Sequence, residues 1–254
     1  MTGVALPLAA ILLGACVGSF LNVVIYRLPR GESIVSPRSR CPSCGREIRP
    51  FENIPVASFL ALGGRCAGCG GAISWRYPLV EGMTAVAFGG IAWVDGWGVP
   101  MARDFLFVSL LVPIAIIDID HRIIPDELSL GGFAAGILMS FLPGGDWKGG
   151  LLGAAAGAGI LYATAAAYLK ATGREGMGGG DVKLMAMIGA FLGWRGALVT
   201  IFAGSLLGVA GGVIAMRGGK DGLRTAIPFG PYLCVGAVAA RFTGGAFWGF
   251  LFRT

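Results

Sequence analysis

Apolar residues run along this chain in long blocks separated by short polar segments. The blocks cover residues 3–25, 79–97, 104–117, 128–142, 149–169, 182–194, 196–216 and 226–250. A bilayer's hydrocarbon core takes about 20 apolar helical residues to cross. Every backbone polar group must be satisfied inside that core, which favours helices. The pattern therefore predicts an all-α polytopic membrane protein with about eight transmembrane helices. The 182–194 block is the shortest, at roughly 20 Å of helix. The largest polar interruption, 26–77, reads as a small domain inserted between the first two spans. The expected organisation is a first span at 1–25, an insert at 26–77, and a membrane core of about seven spans at 78–254. No internal repeat or low-complexity tail is visible.

Composition agrees. Of 254 residues, 55% are hydrophobic and 13% are charged, too little charge to cover a soluble domain. Glycine is abundant, at 45 residues. In lipid, small residues let helices approach closely. Gly14-x-x-x-Gly18 and Gly204-x-x-x-Gly208 have that spacing, although in so glycine-rich a chain each pair also fits chance.

The net charge of +6 and pI of 9.2 would suggest nucleic acid in a soluble protein. Here the cations sit in loops and set topology, so nucleic acid is not an expected partner. The 26–77 segment holds Arg27, Arg30, Arg38, Arg40, Arg46, Arg49, Arg65 and Arg76 against Glu32, Glu47 and Glu52. That places the insert in the cytoplasm and the N-terminus outside. Alternation then puts Asp118–Glu127, Lys170–Lys183 and Arg217–Arg224 on the cytoplasmic side. The N-terminal block lacks the basic n-region of a cleavable signal and reads as a retained span.

The insert carries Cys41-Pro-Ser-Cys44 and Cys66-Ala-Gly-Cys69, with 21 residues between the pairs. Four thiolates suit tetrahedral zinc, and four leave no open position for catalysis. A structural ion would help so short a segment fold. Disulfides are the rival reading, disfavoured in a reducing cytoplasm. Cys16 and Cys234 lie in apolar blocks and read as packing residues.

Two acids stand where membrane meets cytoplasm. Asp118 ends the third block, in Ile117-Asp118-Ile119-Asp120-His121-Arg122-Ile123-Ile124-Pro125-Asp126. Asp181 opens the 182–194 block, after Gly176-Met177-Gly178-Gly179-Gly180. Carboxylates at that depth face a cavity or a partner. Asp118 and Asp120 project about 200° apart on a helix, so only one of them faces Asp181. Asp118, deeper and following a continuous apolar run, is the choice. Asp120 and Asp126 are left to cap helices or meet cations. Two carboxyls held close do not both ionise readily, and a pair sharing a proton can activate water and protonate a leaving group. The alternative is that Asp118 and Asp181 only cap helices or pair with Arg122 and Lys183. The one histidine, His121, argues against His-based triads and His-rich metal sites. No poised serine accompanies Lys183. The glycine run lacks the strand–helix context of a dinucleotide site.

Four motifs together resemble the type IV prepilin peptidases, also called prepilin leader peptidase/N-methyltransferases. They are Gly18-Ser-Phe-Leu-Asn22-Val-Val-Ile-Tyr-Arg27-Leu-Pro29, the paired C-x-x-C insert, Asp118-x-Asp120 with Ile124-Pro125-Asp126, and Gly178-x-Gly180-Asp181 followed by Lys183. Arg76-Tyr-Pro-Leu-Val-Glu81 is also similar. The last of the four motifs is shared with presenilin-like GxGD aspartyl proteases. The resemblance implies a bacterial inner-membrane aspartic endopeptidase that cuts the basic leaders of prepilins and pseudopilins at the cytoplasmic face. It implies methylation of the new N-terminus, usually phenylalanine, from S-adenosylmethionine. Asp118 and Asp181 match the family's catalytic pair, and the zinc insert is associated with members that methylate. Glu81 is the first residue to test for the methyl donor; an interfacial charge near Arg76 is the other reading. The competing functions are a proton-coupled transporter, which predicts an internal repeat and broken mid-membrane helices, and a peptidase without methylation.

Overall fold

The computed structural model describes residues 3–218 and 228–252. Among them β-structure is confined to two isolated bridges, Arg40–Glu47 and Arg65–Ala72. The helices are α1 (Ala5–Arg27), α2 (Ala57–Ala61), α3 (Arg76–Asp95), α4 (Val99–His121), α5 (Asp126–Ser140), α6 (Trp147–Thr172), α7 (Gly179–Gly218) and α8 (Gly230–Phe252). Among the described residues, four stretches are long and apolar enough to cross a membrane: Ala5–Arg30, Arg76–Asp95, Trp147–Thr172 and Gly179–Ile214. The chain is thus a helical membrane protein. The expected block at 128–142 is the 15-residue α5, about 22 Å long. The expected block at 104–117 lies in α4, which also carries Arg103, Asp104 and Asp118. The basic loop expected at Arg217–Arg224 lies, from residue 219 on, outside the described residues.

The chain forms two compact units, Met1–Pro113 and Ile114–Thr254. In the first, α1 buries Pro7, Ala10, Gly14, Gly18, Leu21 and Ile25, a stripe spaced three or four residues apart. This stripe lies on α3. A methyl at Gly14 would sit 2.7 Å from the Thr84 carbonyl oxygen, and one at Gly18 would sit 2.7 Å from Glu81 Cα. The Gly14-x-x-x-Gly18 pair is therefore a helix contact and not a chance spacing. Phe88 of α3 stacks on Phe105 of α4, within a core that includes Ile91, Met101 and Val108. Cys16 points away from this contact and is exposed, so it is not the packing residue its apolar surroundings suggest.

In the second unit α5, α6 and α8 pack on α7. The approach of α6 to α7 again runs on small residues, with Gly150, Gly153, Ala154 and Gly157 buried. Helix α7 is broken at Gly193, whose φ of 68° and ψ of 179° belong to no helix. Asp181 and Gly208 would lie about 40 Å apart on a straight helix. Yet Phe229 shares a cleft with Asp181, and its ring carbon Cε2 is 3.3 Å from where a Gly208 Cβ would be. Gly157 likewise meets both Met185 and Ala197. The two arms of α7, 179–192 and 194–218, therefore fold back as a hairpin. They coincide with the separate 182–194 and 196–216 blocks. No polar loop joins them, because one glycine in a region closed to side chains makes the turn.

Candidate active site and metal centre

At the end of α4, Ile114 and Ile117 are fully buried and Asp118 is 5% exposed. Ile119 and Asp120 turn outward. The helix thus presents Asp118 inward and Asp120 to solvent, as the 3.6-residue period requires. It stops at Arg122, whose φ is 56°, while the Arg122 N–H still donates to the Asp118 carbonyl oxygen at 2.9 Å. Pro125, with extended backbone, then leads into α5, whose first turn holds Asp126 and Glu127. Acids suit that end of a helix.

Asp181 lies in the first turn of α7 and is 8% exposed. In the glycine-rich stretch before it, a Cβ at Gly180 would press on Ile124 Cβ at 3.0 Å. Asp118 and Asp181 line one cleft of about 600 Å³, with Arg122, Ile124, Gly178 and Lys183 also in its wall. A third element completes the cleft. The first residue of α8, Gly230, donates its N–H to Asp118 Oδ2 at 3.0 Å, and Pro228 and Phe229 line the wall beside it. Sequence reasoning missed Gly230. The available signal was the Pro228-Phe229-Gly230-Pro231 turn at the start of an apolar block. Cys234, one turn further along α8, is buried as expected.

The ion-pair alternative for the aspartates fails for Lys183. Its Nζ contacts Asp126 Oδ1 at 2.7 Å and Oδ2 at 2.9 Å. Among the described residues neither Asp118 nor Asp181 has a cation within ion-pair distance.

The four insert cysteines come together. Their Sγ atoms all lie within 4.8 Å of one another, and Cys41 and Cys69 are 3.9 Å apart. Two matching turns produce this. The Cys41 N–H donates to the Arg46 carbonyl and the Gly45 N–H to the Cys41 carbonyl; Cys66 does the same with Gly71 and Gly70. A tetrahedral ion with bonds of about 2.3 Å sets its sulfurs a little under 4 Å apart, so the donor set fits zinc. The Cys44 and Ser43 N–H groups hold the Cys41 thiol below its ordinary value. Those of Cys69 and Gly68 bring Cys66 down to about 6. At Cys69 the Gly71 N–H acts in the same sense, but Cys44, burial and the other sulfurs push the thiol up to about 11. Backbone donors thus favour thiolates here, and mutual repulsion opposes having four; a dication removes that conflict.

Glu81 is elsewhere, 7% exposed in α3. Its Oε2 accepts the Val56 N–H at 2.7 Å. Val56 has a φ of 60°, strained for a β-branched residue, and caps α2. Glu81 thus holds the insert to α3.

The model of the bacterial peptidase A24 N-terminal domain matches residues 12–94, and that of the type IV leader peptidase family matches residues 105–213. A prepilin leader peptidase/N-methyltransferase of Myxococcus xanthus is 46% identical, over 86% of this chain and 67% of its own. Proteins of the same name from Pseudomonas aeruginosa and Neisseria gonorrhoeae are 40% and 39% identical, over 91% and 88% of their own lengths. The chain belongs to the type IV leader peptidase family. Its N-terminal match holds the cysteine cluster and Glu81, and its second match holds both aspartates. No solved structure matches the chain.

Proposed function

We propose that the chain removes the basic leader from prepilins and pseudopilins with an Asp118–Asp181 dyad, then methylates the new N-terminus. The observation that carries this is two buried carboxylates, from stretches far apart in sequence, lining one cleft with no cation at ion-pair distance from either among the described residues. In that cleft one carboxyl is ionised and the other protonated. The ionised group takes a proton from water as the water oxygen bonds to the scissile carbonyl carbon. The protonated group gives its proton to the carbonyl oxygen. The tetrahedral adduct then collapses: one of its hydroxyls returns a proton to the dyad, the C–N bond breaks, and the departing amine takes a proton from the dyad. The Gly230 N–H fixes Asp118 throughout. The pair titrates as one unit, so neither acid is assigned a permanent role.

Methylation uses S-adenosylmethionine as co-substrate. The amine nitrogen attacks the methyl carbon, the C–S bond breaks, and the nitrogen loses a proton. Glu81 is the residue we place on this side of the function. Cys41, Cys44, Cys66 and Cys69 are the residues that would hold zinc, which cross-links the two turns. The arginine-rich insert supports a cytoplasmic catalytic face at a bacterial inner membrane.

The test is cleavage of a purified prepilin by Asp118→Asn and Asp181→Asn enzymes in membranes. Each is expected to lose cleavage by at least a thousandfold while accumulating normally. Processing at the native rate by either variant would remove the dyad.

A further inference from the structure

We propose that the Lys183–Asp126 ion pair is a clamp that positions Asp181 for peptide cleavage, an inference that rests on the dyad reading above. The two walls of the cleft are unlike. One follows Asp118 and passes through Arg122 and Ile124 into α5. The other is the run Gly176-Met177-Gly178-Gly179-Gly180 that leads to Asp181. Glycines give that second wall few side chains with which to hold itself in place. Two contacts join the walls. Inside, Ile124 occupies the space beside Gly180, its Cβ 3.0 Å from where a side chain there would begin. At the rim, Lys183 reaches from the first turn of α7 to the first residue of α5 and grips both oxygens of Asp126.

Lys183 stands two residues after Asp181, so any movement of this turn carries the carboxyl with it. Both side chains are substantially exposed, 41% for Lys183 and 55% for Asp126. Pairs so open to water add little to global stability. Misplacement by a fraction of an ångström is enough to slow chemistry. Lys183 and Asp126 are therefore positioning residues; neither is assigned to touch the reacting atoms.

The experiment measures kcat and KM for prepilin cleavage by the full-length enzyme in detergent. The variants are Asp126→Asn, Lys183→Met, Lys183→Arg and the swap Asp126→Lys with Lys183→Asp, with Asp181→Asn as a control. The first two are expected to lose about ten- to a hundredfold in kcat, with KM within about threefold of native. Their thermal unfolding should match the native enzyme. Lys183→Arg should keep most of the activity, and the swap should recover at least part of what the single changes lose. Native kcat in Asp126→Asn and Lys183→Met overturns the clamp, as does a loss in Lys183→Arg equal to that in Lys183→Met. If the single variants unfold early, the swap decides: recovered activity supports the clamp, and continued loss in a swap that melts normally overturns it. An active Asp181→Asn control would instead sink the dyad itself.

Discussion

Gly230 stands where any side chain would touch Asp118. A methyl there would lie 2.6 Å from Oδ2, inside van der Waals contact, and the same residue's N–H holds that oxygen. Gly230→Ala is therefore expected to lower kcat for cleavage about a hundredfold, with KM little changed. Single-turnover cleavage of a prepilin would show it, and a native rate would mean that Asp118 tolerates displacement. The choice of Asp118 over Asp120 belongs to this scale too. It followed from helical period and depth alone, and the burial of the one and exposure of the other agree with it. Gly230 did not follow. A backbone N–H aimed at a carboxylate leaves no mark in the residue type beyond the absence of a side chain.

Among elements, the insert is where local sequence governs most. Each C-x-x-C-G turn closes through its own backbone hydrogen bonds, with Gly45 and Gly70 at φ of about 70°. Around the turns the insert buries little: Val35, Phe51, Ile54 and Leu60 are exposed. So short a core would gain from a metal held by the four cysteines. Cys44→Ser is expected to reduce bound zinc from one ion per chain to a small fraction. The insert's arginines should then become open to trypsin within minutes. Metal analysis and limited proteolysis check this, and a metal-free insert that resists trypsin would count against a structural ion. The α7 hairpin shows the opposite balance. Hydropathy marks two apolar blocks joined by a short external connection near Arg195, whereas the chain turns at Gly193.

For the molecule as a whole, the family match at 12–94 lies within the first compact unit, and the match at 105–213 lies mostly in the second. The cysteines and Glu81 belong to the first unit, and the two aspartates to the second. Changes in the first should therefore separate the two reactions. Glu81→Gln is expected to lower methylation of a pre-cleaved substrate at least tenfold, while leader cleavage stays within about twofold of native. Mass analysis of the product N-terminus distinguishes these. Equal loss of both reactions would make Glu81 an anchor only, consistent with its hydrogen bond to Val56.

Sequence by itself determined the membrane class, the helix positions, the paired cysteine turns and the two acids at helix ends. These depend on periodicity, run length and short-range spacing, which a linear chain carries openly. Only the tertiary structure decided which groups meet: Gly230 on Asp118, Lys183 on Asp126 and not on Asp181, and Glu81 on Val56. Those contacts join residues far apart in the chain. Their partners are set by how helices pack, and in lipid that packing turns on small residues whose fit is a property of two surfaces together.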